Sequence, residues 1–151
     1  MKTYAVVLIL MLSATAIYSQ NIDTEVEGGE ICDSLFWTST EYPVHLKNDI
    51  SEIQKKLSDH LTLYPEDLEK TVSLTYRFKI TCAGINVGSG LESYKGPQSL
   101  GLSLRIKTIL DEICTWSPAI LYEKPVNSFY YLTVDVQKGR ISIVPQNKNE
   151  R

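Results

Sequence analysis

The sequence contains few of the residues on which catalytic and metal sites depend. Its 151 residues include two histidines and three cysteines, and the motifs C-x-x-C, H-E-x-x-H and G-x-S-x-G are absent. The stretch Gly88-Ser89-Gly90 falls within a predicted hairpin and not before a helix, so it does not have the setting of a phosphate-binding loop. We therefore expect a protein without catalytic activity, cofactor or metal ion.

An excess of basic charge and a long apolar run are also missing. The formal net charge is −3, so nucleic acid and anionic membrane surfaces are poor partners. The apolar run over residues 4–12 is shorter than a membrane-spanning helix. Lys2 precedes this run and small residues follow it, which predicts a signal peptide over residues 1–19. We expect an exported protein, periplasmic or secreted, whose contact with membranes is only indirect.

Residues 20–41 form an acidic segment with six carboxylates and no lysine or arginine. Together with Gly28-Gly29, this composition predicts a flexible leader. A short apolar cluster, Leu35-Phe36-Trp37, interrupts the leader. The cluster either packs across the following domain as an N-terminal arm or forms a patch that binds a partner.

Two stretches have apolar residues at steps of three and four, which predicts amphipathic helices. The first helix begins near Asp49, and its apolar stripe consists of Ile50, Ile53, Leu57 and Leu61. The second helix precedes Trp116, and its stripe consists of Leu102, Ile106, Ile109, Leu110 and Ile113. Pro118 is expected to end the second helix, because the residue before a proline avoids the α region. Trp116 is then expected to cover the end of the core.

Strict alternation of apolar and polar residues predicts strands over residues 71–81 and 128–137. A return strand beginning at Ile85 should be short or bulged, because glycines weaken it. Gly139 is expected to close a tight hairpin that leads into a last strand over residues 140–144, since glycine accepts a positive φ. The resulting order of elements predicts an α+β fold over residues 42–145, a small antiparallel sheet with two helices packed on one face. Residues 146–151 are expected to be a polar tail.

Several short motifs gain specificity from their order and spacing. They are Tyr64-Pro65, then Trp116, Pro118 and Ala119, then Lys124, Pro125 and Val126. In this order they resemble the C-terminal domain of TonB, in the form found in small exported proteins of Bacteroidetes. The resemblance covers about residues 42–144 and implies the same α+β architecture, with Trp116, Pro118, Pro125 and Gly139 as structural residues. Glu123 stands where the family has a glycine, and Glu66 and Asp67 stand where TonB has small and basic residues.

The resemblance implies a non-catalytic binding module. In TonB, the domain captures an extended peptide of an outer-membrane transporter by adding it to a sheet edge, with the Tyr-Pro segment close to that contact. Strand addition takes affinity from main-chain hydrogen bonds and specificity from alternate side chains. Residues 20–41 contain no proline-rich spacer, so TonB-type energy transduction is not expected.

The sequence suggests where a partner strand would bind. We expect the strand over residues 128–137 to offer a free edge, with Tyr64, Pro65, Tyr131, Thr133 and Asp135 as the contact residues. If the last strand covers that edge, the free edge moves to the last strand, and Ser142 becomes the position to test. The same edge would permit self-pairing into a dimer. Two other interpretations remain: a secreted structural or accessory protein that keeps the fold without capturing peptides, and an unrelated cystatin-like inhibitor.

The three cysteines leave at least one thiol unpaired. Cys82 is in phase with the apolar face of its strand, and Cys114 lies beside the apolar stripe of the second helix. A Cys82–Cys114 disulfide is therefore one possibility, which would stabilise the fold by ~3 to 4 kcal/mol. The other is that both are buried free thiols. Cys32, in the acidic segment, is expected to be the unpaired cysteine.

Overall fold

The computed structural model describes residues 34–97 and 100–146. The predicted signal peptide, most of the acidic leader and most of the polar tail lie outside the described residues. The elements in chain order are β1 (His45–Leu46), α1 (Ile50–His60), α2 (Pro65–Leu68), β2 (Thr71–Ile80), β3 (Asn86–Lys95), α3 (Leu100–Ile113), β4 (Trp116–Ser117), β5 (Ala119–Leu121), β6 (Lys124–Val126), β7 (Ser128–Gln137) and β8 (Arg140–Gln146).

The central feature is a four-stranded antiparallel sheet with the strand order β3-β2-β7-β8. Two short antiparallel pairs, β1 with β4 and β5 with β6, lie beside it. The sheet and the helices α1 and α3 form an α+β fold, as predicted from the order of the elements. No helix in the described ranges has the length and apolarity that a membrane crossing requires.

The alternating apolar residues of the strands face the two long helices, and this face of the sheet is called the helix side. Its buried strand residues are Val72, Leu74, Tyr76, Phe78, Ile80, Tyr130, Leu132, Val134 and Val136. The helices cover them with Ile53, Leu57, Leu102, Ile106 and Leu110. Burial of each such side chain contributes roughly 1.5–3 kcal/mol. The opposite face, called the polar side, carries the residues between them, such as Arg77 on β2 and Thr133 on β7.

The second predicted helix ends earlier than expected. α3 ends at Ile113, so the prediction that Pro118 terminates it is wrong. The chain becomes extended before the proline because β4 pairs with β1. Asn48 fixes this junction, since the backbone N–H and the hydroxyl of Thr115 each donate to its Oδ1 at 2.7 Å.

Trp116 lies at the junction of the helices and the sheet, as predicted. Only 3% of its surface is exposed. Its ring packs against Phe78 and Tyr130, with centroid distances of 4.9 Å in each case. The ring therefore joins β4 to both central strands of the sheet.

One residue of the apolar cluster in the leader, Phe36, packs on the domain, whereas Leu35 and Trp37 remain 62% and 40% exposed. Phe36 contacts Phe129 with ring centroids 5.3 Å apart. The N–H of Trp37 donates to the carbonyl of Asn127 at 2.9 Å, and Trp37 forms a parallel bridge with Ser128 at the start of β7. These contacts support the interpretation of this segment as an N-terminal arm.

Neither of the two possibilities for Cys82 and Cys114, a disulfide between them or two buried free thiols, is correct. Cys114 is a buried free thiol, whereas Cys82 is disulfide-bonded. The remaining cysteine of the sequence, Cys32, lies outside the described residues. Phase along a strand places Cys82 on one face, but it does not bring the sulfur atom within bonding distance of α3.

Candidate strand-binding edge

The strand that was predicted to offer a free edge is an interior strand. β7 pairs with β2 along its whole length and with β8 along most of it. Thr133 and Asp135 therefore have neighbouring strands on both sides, and the Thr133 hydroxyl is also hydrogen-bonded to the Thr75 hydroxyl at 2.8 Å. Tyr131 lies between the same strands. The prediction that Tyr131, Thr133 and Asp135 line a free edge is wrong. Among residues 34–97 and 100–146, the strands at the edges of the sheet are β3 and β8.

The turn between β7 and β8 determines which backbone groups face outward. Lys138 and Gly139 form a two-residue loop with φ values of 47° and 80°, and Gln137 pairs with Arg140 across it. Such a loop is closed by a hydrogen-bonded pair, and bonded and non-bonded pairs then alternate along an antiparallel ladder. Odd-numbered residues of β7 therefore bond to β8, and even-numbered residues bond to β2. It follows that odd-numbered residues of β2 bond to β3.

Two hydrogen bonds just beyond the end of β2 agree with this alternation. The N–H of Thr81 donates to the carbonyl of Ile85, on the side of β3, at 2.9 Å. The N–H of Cys82 donates to Oδ1 of Asn127, on the side of β7, at 2.9 Å.

The outer edge of β8 is partly closed to another strand. Its outward-facing residues are 141, 143 and 145, because the residues between them bond to β7. The N–H of Ile143 already donates to Oε1 of Gln54 on α1, at 3.4 Å, and Pro145 has no N–H to donate. A proline and a covering side chain are common protections of an edge strand. Ser142 faces β7, so Ser142→Pro would break an internal hydrogen bond and would not test the outer edge.

The outer edge of β3 is open by comparison. In the described part of the chain, β3 pairs only with β2. Residues 88–91 of β3 keep an unbroken register with β2. Gly88 and Gly90 lie opposite odd-numbered residues of β2, so their backbone groups face β2. Ser89 and Leu91 therefore direct their N–H and carbonyl groups outward. The N–H of Gly88 also donates to Oδ1 of Asn86 at 3.1 Å.

β3 is expected to be short or bulged because of its glycines, and it is bulged. Its register with β2 shifts at two places, between Thr75 and Tyr76 and between Lys79 and Ile80. The strand is ten residues long. The bulges limit the regular open edge to the stretch over residues 88–91.

Helix α3 is attached to β3 by a polar network centred on Asp111. Its carboxylate accepts hydrogen bonds from Asn86 Nδ2 at 3.1 Å and Ser89 Oγ at 2.5 Å, both on β3. Lys107 Nζ lies 2.6 Å from the other carboxylate oxygen. This network holds α3 against β3.

Tyr64 and Pro65 lie at a different place. Pro65 begins α2, and Tyr64 stacks on the guanidinium of Arg105 at 4.5 Å. Arg105 also pairs with the buried carboxylate of Asp67 at 2.5 Å. Arg105 and Asp111 are about 120° apart around α3 at 100° per residue. Tyr64 therefore contacts a different side of α3 from the side that faces β3. Tyr64 and Pro65, which were predicted to contact the partner strand, do not lie at the open edge of β3.

The remaining predicted structural residues have separate positions. Pro125 is exposed on β6 opposite Ile120, where a proline is tolerated because the strand is short and at an edge. Gly139 has a positive φ, as predicted, and a Cβ atom there would lie 3.0 Å from Leu68. Pro118 connects β4 to β5.

The strongly shifted pKa values belong to core residues and not to the edge. Burial raises the pKa of Tyr76 and Tyr130 to about 12. Burial, with a smaller contribution from the nearby Asp111 carboxylate, raises the pKa of Cys114 to about 12. Within the described ranges, no group of three or more His, Cys, Asp or Glu residues is placed to hold a metal ion.

Comparisons with protein-family models, with curated proteins and with solved structures find no match for this chain. The resemblance to the TonB C-terminal domain therefore stays a prediction from the sequence motifs.

Proposed function

We propose that this protein is a non-catalytic exported binding module that captures an extended polypeptide by adding it as a strand to the outer edge of β3. The observation that carries the proposal is the difference between the two sheet edges. Gln54 and Pro145 obstruct the edge of β8, whereas Ser89 and Leu91 present outward backbone groups on β3. An extended peptide satisfies both the donors and the acceptors of such an edge.

Main-chain hydrogen bonds alone would give weak binding. Ser89 and Leu91 together offer two N–H and two carbonyl groups, and each net hydrogen bond is worth ~0.5–1.5 kcal/mol. The sum, ~2–6 kcal/mol, is comparable to the cost of association. Side-chain contacts next to the edge must therefore supply much of the affinity.

The resemblance to TonB suggests the source of the peptide. We propose an extended segment of a cell-envelope protein, with outer-membrane transporters as the first candidates. The edge proposed here is β3, so the contact does not depend on Tyr64 and Pro65.

The experiment begins with selection of eight-residue random peptides that bind the folded protein, with peptides from outer-membrane transporters tested in parallel. Each binder is then resynthesised with single backbone N-methyl groups along its length. N-methylation at the residues that donate to β3 should abolish binding, and N-methylation at the alternate residues should have little effect. Such a two-residue period is specific to strand pairing.

The matched protein variants are Ser89→Pro and Ser89→Ala. Both remove the hydroxyl that donates to Asp111, but only the proline removes the outward N–H. We expect Ser89→Pro to lose binding and Ser89→Ala to keep it, with similar melting temperatures, because an outward N–H makes no internal ladder bond. Equal binding by the two variants, or loss of binding with any N-methyl group regardless of position, would overturn the proposal.

A further inference from the structure

The side chains along the open edge specify which peptide it accepts. Resting on the function proposed above, we infer that the captured segment carries an aromatic residue next to an aliphatic residue, the aromatic one opposite Gly90 and the aliphatic one opposite Leu91. Neighbouring residues of a strand point to opposite faces, so the aromatic side chain lies on the polar side and the aliphatic one on the helix side.

Leu91 supplies the aliphatic preference. It pairs with Tyr76, whose side chain is fully buried on the helix side, and directly opposite residues share a face. Leu91 nevertheless remains 42% exposed, because β3 is an edge strand among the residues that the structure describes. An aliphatic residue directly opposite would cover its outer flank, whereas a charged residue there would lose hydration without gaining a partner.

Arg77 and Gly90 supply the aromatic preference on the polar side. Gly90 pairs with Arg77, and no atom lies within 4 Å of the position that its Cβ would occupy. An aromatic ring of the neighbouring strand can lie across an edge glycine. There it would share the polar side with the guanidinium of Arg77, which lies 5.4 Å from the Phe129 ring of β7 and pairs with Glu92 of β3 at 3.3 Å. A cation over an aromatic face adds to the attraction.

The surroundings of Ser89 determine which peptide residue is preferred opposite it. Ser89 shares the helix side with Leu91, and its hydroxyl donates to Asp111. The Asp111 carboxylate already accepts from three groups, Asn86, Ser89 and Lys107. A cationic residue of the peptide would find this acid satisfied, so a small neutral residue is expected. The peptide residues opposite residues 89, 90 and 91 are therefore expected to be small, aromatic and aliphatic, in that order.

The test uses the peptides that bind the edge and two protein variants. Gly90→Val fills the space over the glycine, and the fold should tolerate it because Gly90 does not have a positive φ and the Cβ position is empty. Leu91→Thr keeps a strand-forming residue but removes the apolar surface. For each protein, dissociation constants are measured by fluorescence anisotropy for a binder and for its single alanine substitutions. Far-UV circular dichroism and the melting temperature confirm that both variants fold.

With the natural protein, replacing the aromatic residue of the peptide by alanine should weaken binding roughly tenfold. With Gly90→Val, the same replacement should change binding less than twofold, while the aliphatic preference persists. With Leu91→Thr, the aliphatic preference should be lost and the aromatic preference should persist.

The outcomes separate this inference from the proposed function. If bound peptides show the two-residue N-methyl period at β3, but the preferences are absent or do not respond to Gly90→Val and Leu91→Thr, the inference is wrong and strand capture stands. If no peptide binds, or binding shows no such period, strand capture fails and the inference fails with it.

Discussion

Replacing Trp116 by alanine should destabilise the fold more than almost any other single truncation. The side chain is 3% exposed and packs against two aromatic rings at 4.9 Å. Truncating a buried tryptophan to alanine costs ~3–5 kcal/mol, because apolar contacts are lost and the surroundings collapse only partly into the space. This is a large part of the ~5–15 kcal/mol that stabilises a domain. For a chain of this length, the melting temperature should fall by roughly 10–20 °C.

Urea unfolding followed by far-UV circular dichroism measures this loss without using the deleted fluorophore. Trp116→Phe is the graded variant, since it keeps an aromatic ring between Phe78 and Tyr130 and should lose less. Trp37→Ala is the matched control, because Trp37 is 40% exposed and makes its two described hydrogen bonds through its backbone. A loss below ~1 kcal/mol for Trp116→Ala would refute the assignment of this ring to the core. If that variant kept its stability but lost peptide binding, Trp116 would be a binding residue.

Three further predictions concern ionisable and sulfur-containing groups. Burial raises the pKa of Tyr76, Tyr130 and Cys114 to about 12 in the folded state, whereas unfolded they ionise near pH 9 to 10. The contribution of these groups to stability should therefore be constant below about pH 8, and stability should fall as the pH rises towards 12. Tyr130→Phe should make this fall shallower by ~1.4 kcal/mol per pH unit in alkaline urea titrations. In denaturant without reductant, iodoacetamide should label Cys114, whereas it should label Cys82 only after the disulfide is reduced. Peptide mass spectrometry identifies the labelled cysteines. Labelling of Cys82 before reduction would contradict its disulfide. Asp67→Asn should lower the free energy of unfolding in urea by about 3 kcal/mol. This is the lower end of the range for breaking a buried ion pair, because 27% of the Arg105 side chain is exposed. An unchanged urea midpoint would show that the Asp67–Arg105 pair contributes nothing to stability.

Much of the fold could be predicted from local patterns. The alternating residues gave β2 within one residue and β7 in full, and the apolar stripes located α1 and α3, because burial on one face imposes a period on the sequence. Trp116 was located correctly for a similar reason, since a large apolar ring next to a helix end and a strand is most stable in the core. The two-residue turn followed from Gly139.

The position of the edge could not be read from such patterns. Alternation in β7 reports only which face is buried, whereas strand order depends on pairing between distant parts of the chain. The prediction of β7 as an edge strand is wrong for this reason. One local signal was available: a tight turn after Gln137 already requires β8 to cover one side of β7. The other side is covered by β2, whose sequence contains no mark of that pairing. The disulfide between Cys82 and Cys114 was predicted wrongly for a related reason, because phase along a strand specifies the face on which a side chain lies and not its distance from another side chain.

Amide hydrogen exchange of the protein with and without a bound peptide tests strand capture at β3 most directly. Strand capture at β3 predicts slower exchange at the outward amides of Ser89 and Leu91. The outward amide of Ile141 on β8 should be unchanged, and the inward amide of Gly90 should change less than its neighbours because it faces β2. Protection of Ile141 instead, or protection spread equally over residues 88–91 without alternation, would contradict strand capture at β3.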